Sequence, residues 1–216
     1  MDTLKTATPI VISAIAVVIS IVTYASSTKP ANITLSVGEQ MQIYHGKDQA
    51  LSVDLPIVIQ NTGARAGIVR SLGLIFRDPG TKEAIFVKWM GCVKPEERQE
   101  GSWIWESNAT PLSVPAASEI TKMAESYGAG SVAGWLPKPI EYELYLVGWT
   151  SESPTPSKIC MVKWMFKEKD VAAMKLNLET VKNGGAVSST WVTRTGYAPD
   201  PKELSMSEFD DLVGNR

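Results

Sequence analysis

The residues whose types could do chemistry are few and widely spaced. His45 is the single histidine, so a nucleophilic triad with an imidazole base would have to run through it. It lies in the polar stretch Tyr44-His45-Gly46-Lys47-Asp48, with no Gly-x-Ser-x-Gly elbow and no Cys-His signature nearby, and reads as a solvated turn histidine. Gly128-Ala129-Gly130-Ser131-Val132-Ala133-Gly134 is rich in glycine but follows no β-type run and opens no helix, so it reads as a loop and not as a phosphate cradle. Clustered Cys or His for zinc is missing. Carboxylates such as Glu141 and Glu143 leave an acid–base enzyme as one alternative. The leading expectation is a chain without catalytic activity, cofactor or metal.

Cys92 and Cys160 are the only cysteines, and each lies two residues from the same tetrapeptide, Val87-Lys88-Trp89-Met90 and Val162-Lys163-Trp164-Met165. In an oxidising compartment they would form one disulfide, with a loop whose closure contributes about 4 kcal/mol in the chain-entropy model. Two unpaired thiols are the alternative. A third reading joins Met90, Cys92, Cys160, Met161 and Met165 as a soft-metal set of the kind that selects Cu(I). Between Cys92 and Ile120 regular alternation stops, and the charged stretch 94–100 leads into Trp103-Ile104-Trp105. Aromatic anchors dominate interface energetics, so Trp103 and Trp105 are the candidate partner-binding residues. The alternative has them folded back over the body or extending a sheet edge.

The elements that must position these groups read as strands: Ile33 to Tyr44, Leu51 to Gln60, Gly67 to Arg77, Lys82 to Met90, Ile140 to Thr150, Lys158 to Lys167 and Val187 to Arg194. Alternation places Ile140, Tyr142, Leu144 and Leu146 on one face, Cys160, Val162, Trp164 and Phe166 on another, and Ile85, Val87 and Trp89 on a third. Asn61-Thr62-Gly63 and Asp78-Pro79-Gly80 supply turns, the former with a φ > 0 position. The stretch Leu55 to Gly63 resembles the paired strands of immunoglobulin-like surface and periplasmic modules, a likeness of fold style that implies no site. Asp170 can cap a helix over Val171 to Lys182 ended by Asn183-Gly184-Gly185, residues that an Asn-Gly hairpin also explains. Ser205-Met206-Ser207-Glu208 matches a capping box, followed by Phe209, Leu212 and Val213 on one side of a short helix.

The N-terminus carries the strongest compositional pattern. Residues 7–25 lack charge, and Ile10 to Val22 is Ile, Val or Ala except at Ser13 and Ser20. This length predicts a transmembrane helix, with Ile10, Ile15, Val18, Ile21 and Tyr24 in the bilayer and its interface. Cleavage of a signal peptide after Ala25 is the alternative.

The organisation expected is a leader at 1–6, a transmembrane helix at 7–25 and a linker at 26–31. An all-β, immunoglobulin-like antiparallel β-sandwich follows at 32–198, with an irregular insertion at 92–120 and an acidic tail at 199–216. A formal charge of −2 supplies no basic field, which argues against nucleic acid. The function expected is a membrane-anchored interaction or scaffolding module outside the cytoplasm, with the lipid bilayer and an unidentified protein as partners. A secreted or anchored binder of an apolar ligand is the alternative. Two Asn-x-Thr sequons, at Asn32 and Asn108, matter in a eukaryotic secretory pathway.

Overall fold

Leu51, Val53, Leu55, Ile57 and Ile59 recur at every second position and are completely buried, because successive side chains of extended backbone point to opposite faces. The same alternation builds a wall that closes on itself. The computed structural model describes residues 2–95, 103–150, 156–197 and 206–213. In chain order its elements are α1 (Asp2–Ser27), β1 (Ile33–Val37), β2 (Gln40–His45), β3 (Leu51–Asn61), β4 (Gly67–Val69), β5 (Ser71–Arg77), β6 (Ala84–Pro95), β7 (Trp103–Asn108), β8 (Leu112–Val114), β9 (Ser118–Gly128), β10 (Glu141–Trp149), β11 (Lys158–Met165), α2 (Glu168–Lys182), β12 (Thr190–Tyr197) and α3 (Met206–Val213).

Eight strands close a barrel in the order β2, β3, β9, β6, β5, β10, β11, β12 and back to β2, every pair antiparallel. This corrects the expected immunoglobulin-like sandwich. Alternation fixes which face of a strand is buried, but a sandwich and a barrel bury the same face. The strand that closes the wall is β9, which pairs with β3 along Leu51↔Gly128 to Asn61↔Ser118 and with β6 along Lys88↔Tyr127 to Val93↔Met123. Its sequence, Ser-Glu-Ile-Thr-Lys-Met-Ala-Glu-Ser-Tyr-Gly, carries too few apolar residues to announce a strand. An eight-stranded barrel is just wide enough for side chains to fill, and Trp89, Trp164, Phe76 and Phe166 do so at 0–1% exposure.

The predicted first strand is broken in two. β1 runs beside β3 from Ile33↔Asn61 to Val37↔Ile57, Gly38 and Glu39 interrupt, and β2 resumes with Gln42↔Asp54. A Cβ on Gly38 would stand 2.9 Å from the Pro56 side chain. Arg194 holds the break, its backbone N–H donating to the Glu39 carbonyl at 2.8 Å and its guanidinium to that of Val37 at 3.0 Å. The residues at 61–63 serve a purpose different from the one expected. Gly63 has no positive φ; a Cβ there would lie 2.0 Å from the Pro30 carbonyl oxygen, so the requirement is close approach of two chains.

The helix reading of 171–182 holds over its hairpin alternative, with the start moved to Glu168. Lys167 is the N-cap, and its N–H donates to the Asp170 carboxylate at 2.9 Å. The end is a Schellman arrangement: Gly185 N–H to Thr180 O at 2.8 Å, Gly184 N–H to Val181 O at 3.0 Å, with Gly184 at φ +77°. Met174, Asn177, Leu178 and Val181 form its buried face. α3 brings Phe209 edge-on to Phe86 and Trp149, while residues 198–205 and the Leu212 and Val213 side chains lie outside the described ones.

The N-terminal expectation is also corrected. Among the described residues no helix is long and apolar enough to cross a membrane, so the transmembrane anchor, the bilayer as partner and the single-pass placement are not carried forward. Ile15, Val18, Ile21 and Tyr24 are each more than half exposed, and the Ile10 side chain lies outside the described ones. The helix continues without a break through Ala25, the cleavage position of the alternative reading.

Candidate interaction face

β6 is shared by three neighbours. Its first half pairs with β5, residues from Lys88 onward pair with β9, and Gly91 to Pro95 pair with β7, with bulges at Trp89/Gly91 and Cys92/Val93. β7 is therefore a wing on the barrel and the last strand in the order; among the described residues nothing pairs with its outer edge. Trp103 and Trp105 both lie on this strand, so they extend a sheet edge. Trp105 is 53% exposed, Ile104 40% and Met90 44%, while Trp103 is half-buried. The Trp105 ring rests on Gly91, where a Cβ would stand 2.2 Å from Cζ3. Val93 opposes Trp105 on one side and Met123 on the other, which continues the apolar row across three strands. Glu106 and Lys122 form an ion pair beside it. The residues 96–102 lie outside the described ones.

One step further round the wall lies a carboxyl pair that sequence reading missed. Asp54 opposes Gln42 on β2 and Glu125 on β9. The Tyr44 hydroxyl donates to Glu125 Oε1 at 3.3 Å. Tyr44 is on β2 and Glu125 on β9, so the tyrosine side chain crosses the outer face of β3 and covers the ground between them. Asp54 is left only 4% exposed. Burial, and secondarily the Glu125 charge, pushes the Asp54 carboxyl up to about 7. Burial likewise raises Glu125, and raises the Tyr44 phenol far above its ordinary range. Asp54 sits at an outward position between Val53 and Leu55, the pattern of an ordinary solvent face, and a single strand gives no hint that its neighbours on both sides also place acceptors there.

Glu141 and Glu143, the acids named from sequence, are ordinary wall residues. Glu141 accepts from Lys163 at 3.0 Å, which holds its carboxyl below the usual range, and Glu143 accepts from the Tyr145 hydroxyl at 2.9 Å. His45 is not a solvated turn residue. It is completely buried, its Nε2–H donates to the Trp135 carbonyl at 2.9 Å, and its backbone N–H donates to Asn177 Oδ1 at 2.8 Å. Burial pushes the imidazole below its ordinary range. Nearby, Phe76, Trp135 and Tyr142 line a half-open pocket of about 250 Å³ whose rim carries Lys138 between Asp78 at 3.1 Å and Glu83 at 3.7 Å.

Cys92 and Cys160 are buried free thiols, on strands separated by β5 and β10. Burial raises both thiols. Among the described residues no three His, Cys, Asp or Glu side chains cluster as metal ligands. No protein-family model matches the chain, and no curated protein matches it. Among solved structures, a protein of Bordetella pertussis designated ApaA superposes with a TM-score of 0.31 at 14% identity, covering 79% of this chain and 95% of its own. A likeness that loose carries neither fold nor function across.

Proposed function

We propose that the chain is a non-catalytic interaction module that receives an extended partner segment along the free edge of β7. The observation that carries this reading is a strand edge with which no described residue pairs, beside two tryptophans, one of them more than half exposed. An edge strand presents a row of unpaired N–H and C=O groups, and main-chain bonds to an added strand supply affinity while alternate side chains find apolar contacts. The partner segment this edge fits has apolar residues at every second position, to lie against Trp103, Trp105 and Met90. A non-catalytic reading is supported by the closure of the carboxyl pair under Tyr44, which keeps substrate from Asp54.

A photo-crosslinking residue at Ile104 in the full chain tests this, with the same residue at Leu176, a 65% exposed position on α2, as the control. A discrete adduct from position 104, absent from 176 and lost with Trp105→Ala, is the expected result. Equal adducts from both positions, or an adduct indifferent to Trp105→Ala, overturns it.

A further inference from the structure

Two buried acceptor atoms stand on directly opposed residues of neighbouring strands without a donor. Asp54 Oδ1 and Gln42 Oε1 both lack a hydrogen-bond partner, and their residues are in register across β2 and β3. The Gln42 amide is oriented from its other side, because its Nε2 donates to the Ser189 hydroxyl next to β12. That leaves its carbonyl oxygen as the atom without a partner, on a residue directly opposite Asp54. An acceptor buried without a donor loses its hydration with nothing in return, and two on directly opposed residues are unusual. A single hydrogen between them satisfies both.

We propose that the outer wall of the barrel holds a structural proton: Asp54 is a neutral carboxylic acid in the folded protein, and its O–H donates to the Gln42 side-chain carbonyl, tying β2 to β3.

The groups that face Asp54 all favour this state. From β2 they are Gln42 and the Tyr44 phenol; from β9 they are Glu125 directly opposite, and Tyr127, whose hydroxyl donates to Asp48. Lys88 stands opposite Tyr127 one strand further, on β6. Among the described residues no cation forms an ion pair with Asp54 or Glu125. Two ionised carboxylates directly opposed across β3 and β9 would repel at a place where Tyr44 keeps water out. Neutral Asp54 removes that repulsion and leaves Glu125 free to accept from Tyr44.

The sign of the pH effect follows. The folded state keeps a proton that the unfolded chain releases near pH 4, so rising pH removes stability between about 4 and about 7. Asp54→Asn replaces the O–H by an N–H that can donate to Gln42 at every pH. Urea denaturation of the full chain from pH 5 to 8.5 is expected to show the wild-type midpoint falling relative to that of Asp54→Asn as pH rises to about 7 and keeping that deficit above it, with Asp54→Asn the more stable of the two at pH 8. The ¹³C shift of the Asp54 side-chain carboxyl, read in the wild-type protein, is expected to titrate with a midpoint near 7, which keeps the test independent of whether the variant folds. A carboxyl that titrates below pH 5 overturns the proposal. So does a gain of stability at pH 8 on adding Mg²⁺ or Ca²⁺ that appears in wild type and not in Asp54→Asn, because the acceptors would then be holding a hard cation.

Discussion

Asn61 has the most heavily used side chain in the described structure, and its chemistry sets a clear expectation. Its Oδ1 accepts from the Asn32 and Gly63 N–H groups at 3.0 and 2.9 Å, and its Nδ2 donates to the carbonyls of Arg65, Val114 and Pro115 at 2.7, 3.2 and 3.0 Å. It is 1% exposed, so these groups have no water to fall back on. Asn61→Ala strands two donors and is expected to cost about 3 kcal/mol or more in urea denaturation. Asn61→Asp keeps the shape but turns a carboxylate on three carbonyl oxygens, and is expected to cost more. A loss below 1 kcal/mol for Asn61→Asp would show that the loop rearranges at little cost. His45 gives a second residue-scale prediction. Because Nε2 must carry the hydrogen to reach the Trp135 carbonyl, Nδ1 is a bare acceptor, and it is buried without a partner. The folded protein resists taking up a proton that the unfolded chain accepts below about pH 6.5. The His45 contribution is therefore expected to fall on acidification below pH 6.5, opposite in sign to that of Asp54, so that His45→Gln loses less stability than wild type over that limb while being less stable at neutral pH. An acid limb unchanged in His45→Gln would place the sensitivity elsewhere. Of these sites the sequence showed only the outlines. Asn61 and Gly63 were legible as a turn, but the hub draws in residues up to 54 positions from Asn61, and no local pattern encodes it. His45 reads as polar and exposed because its neighbours Gly46, Lys47 and Asp48 are; alternation from Met41 and Ile43 would have pointed it inward.

At the scale of elements, Gly91 decides whether the β7 wing presents its tryptophan. A Cβ there meets the Trp105 ring and, at 2.3 Å, the Ser107 carbonyl oxygen. The ring can swing, but the carbonyl belongs to the paired strand, so Gly91→Ala is expected to loosen the β6–β7 pairing and cost about 1–3 kcal/mol. The measurement is tryptophan emission with urea denaturation: a shift that disappears in the Trp105→Ala background locates the change at this ring. An emission spectrum indifferent to Gly91→Ala would mean that Trp105 does not rest where the structure places it. The helix end at Gly184 supplies a milder case. Its φ of +77° is left-handed and its surroundings are open, so Gly184→Ala carries a conformational cost of about 1 kcal/mol without a clash. α2 was legible because its 3.6-residue apolar spacing and its Asn-Gly-Gly stop agree, although Asp170, read as the cap, sits at the third helical position behind Lys167. The strands with continuous alternation, β3, β10 and β11, were legible for the same reason. β7 and β9 were not, since their pairing with β6 is interrupted, at Met90 on β6 against β9 and at Glu106 on β7 itself, and both strands mix charge with apolar residues.

Closure of the wall is a property of the whole molecule, and the two thiols report on it. Cys92 and Cys160 belong to one contiguous core but hang from β6 and β11, with β5 and β10 between them. In an open sandwich an edge strand can fray and expose one cysteine alone. In a closed barrel each of these strands is held on both sides, so reaching either thiol requires parting the wall, and parting it exposes the core to which both belong. Burial raises both thiols and further suppresses the reactive thiolate. The folded chain is therefore expected to resist a thiol-reactive disulfide reagent at pH 7.5 and to give two equivalents in denaturant. Where reclosing is faster than reaction, both cysteines are expected to react at rates set by one shared opening equilibrium, measured by mass spectrometry of the singly and doubly labelled species. Destabilising variants on different strands, Asn61→Ala on β3 and Gly91→Ala on β6, should then accelerate both sites by the same factor. A tenfold faster reaction at Cys92 in the wild-type chain would instead show that β6, which serves three partners, opens on its own. That would make the β7 wing and its supporting strand a separate unit from the rest of the barrel.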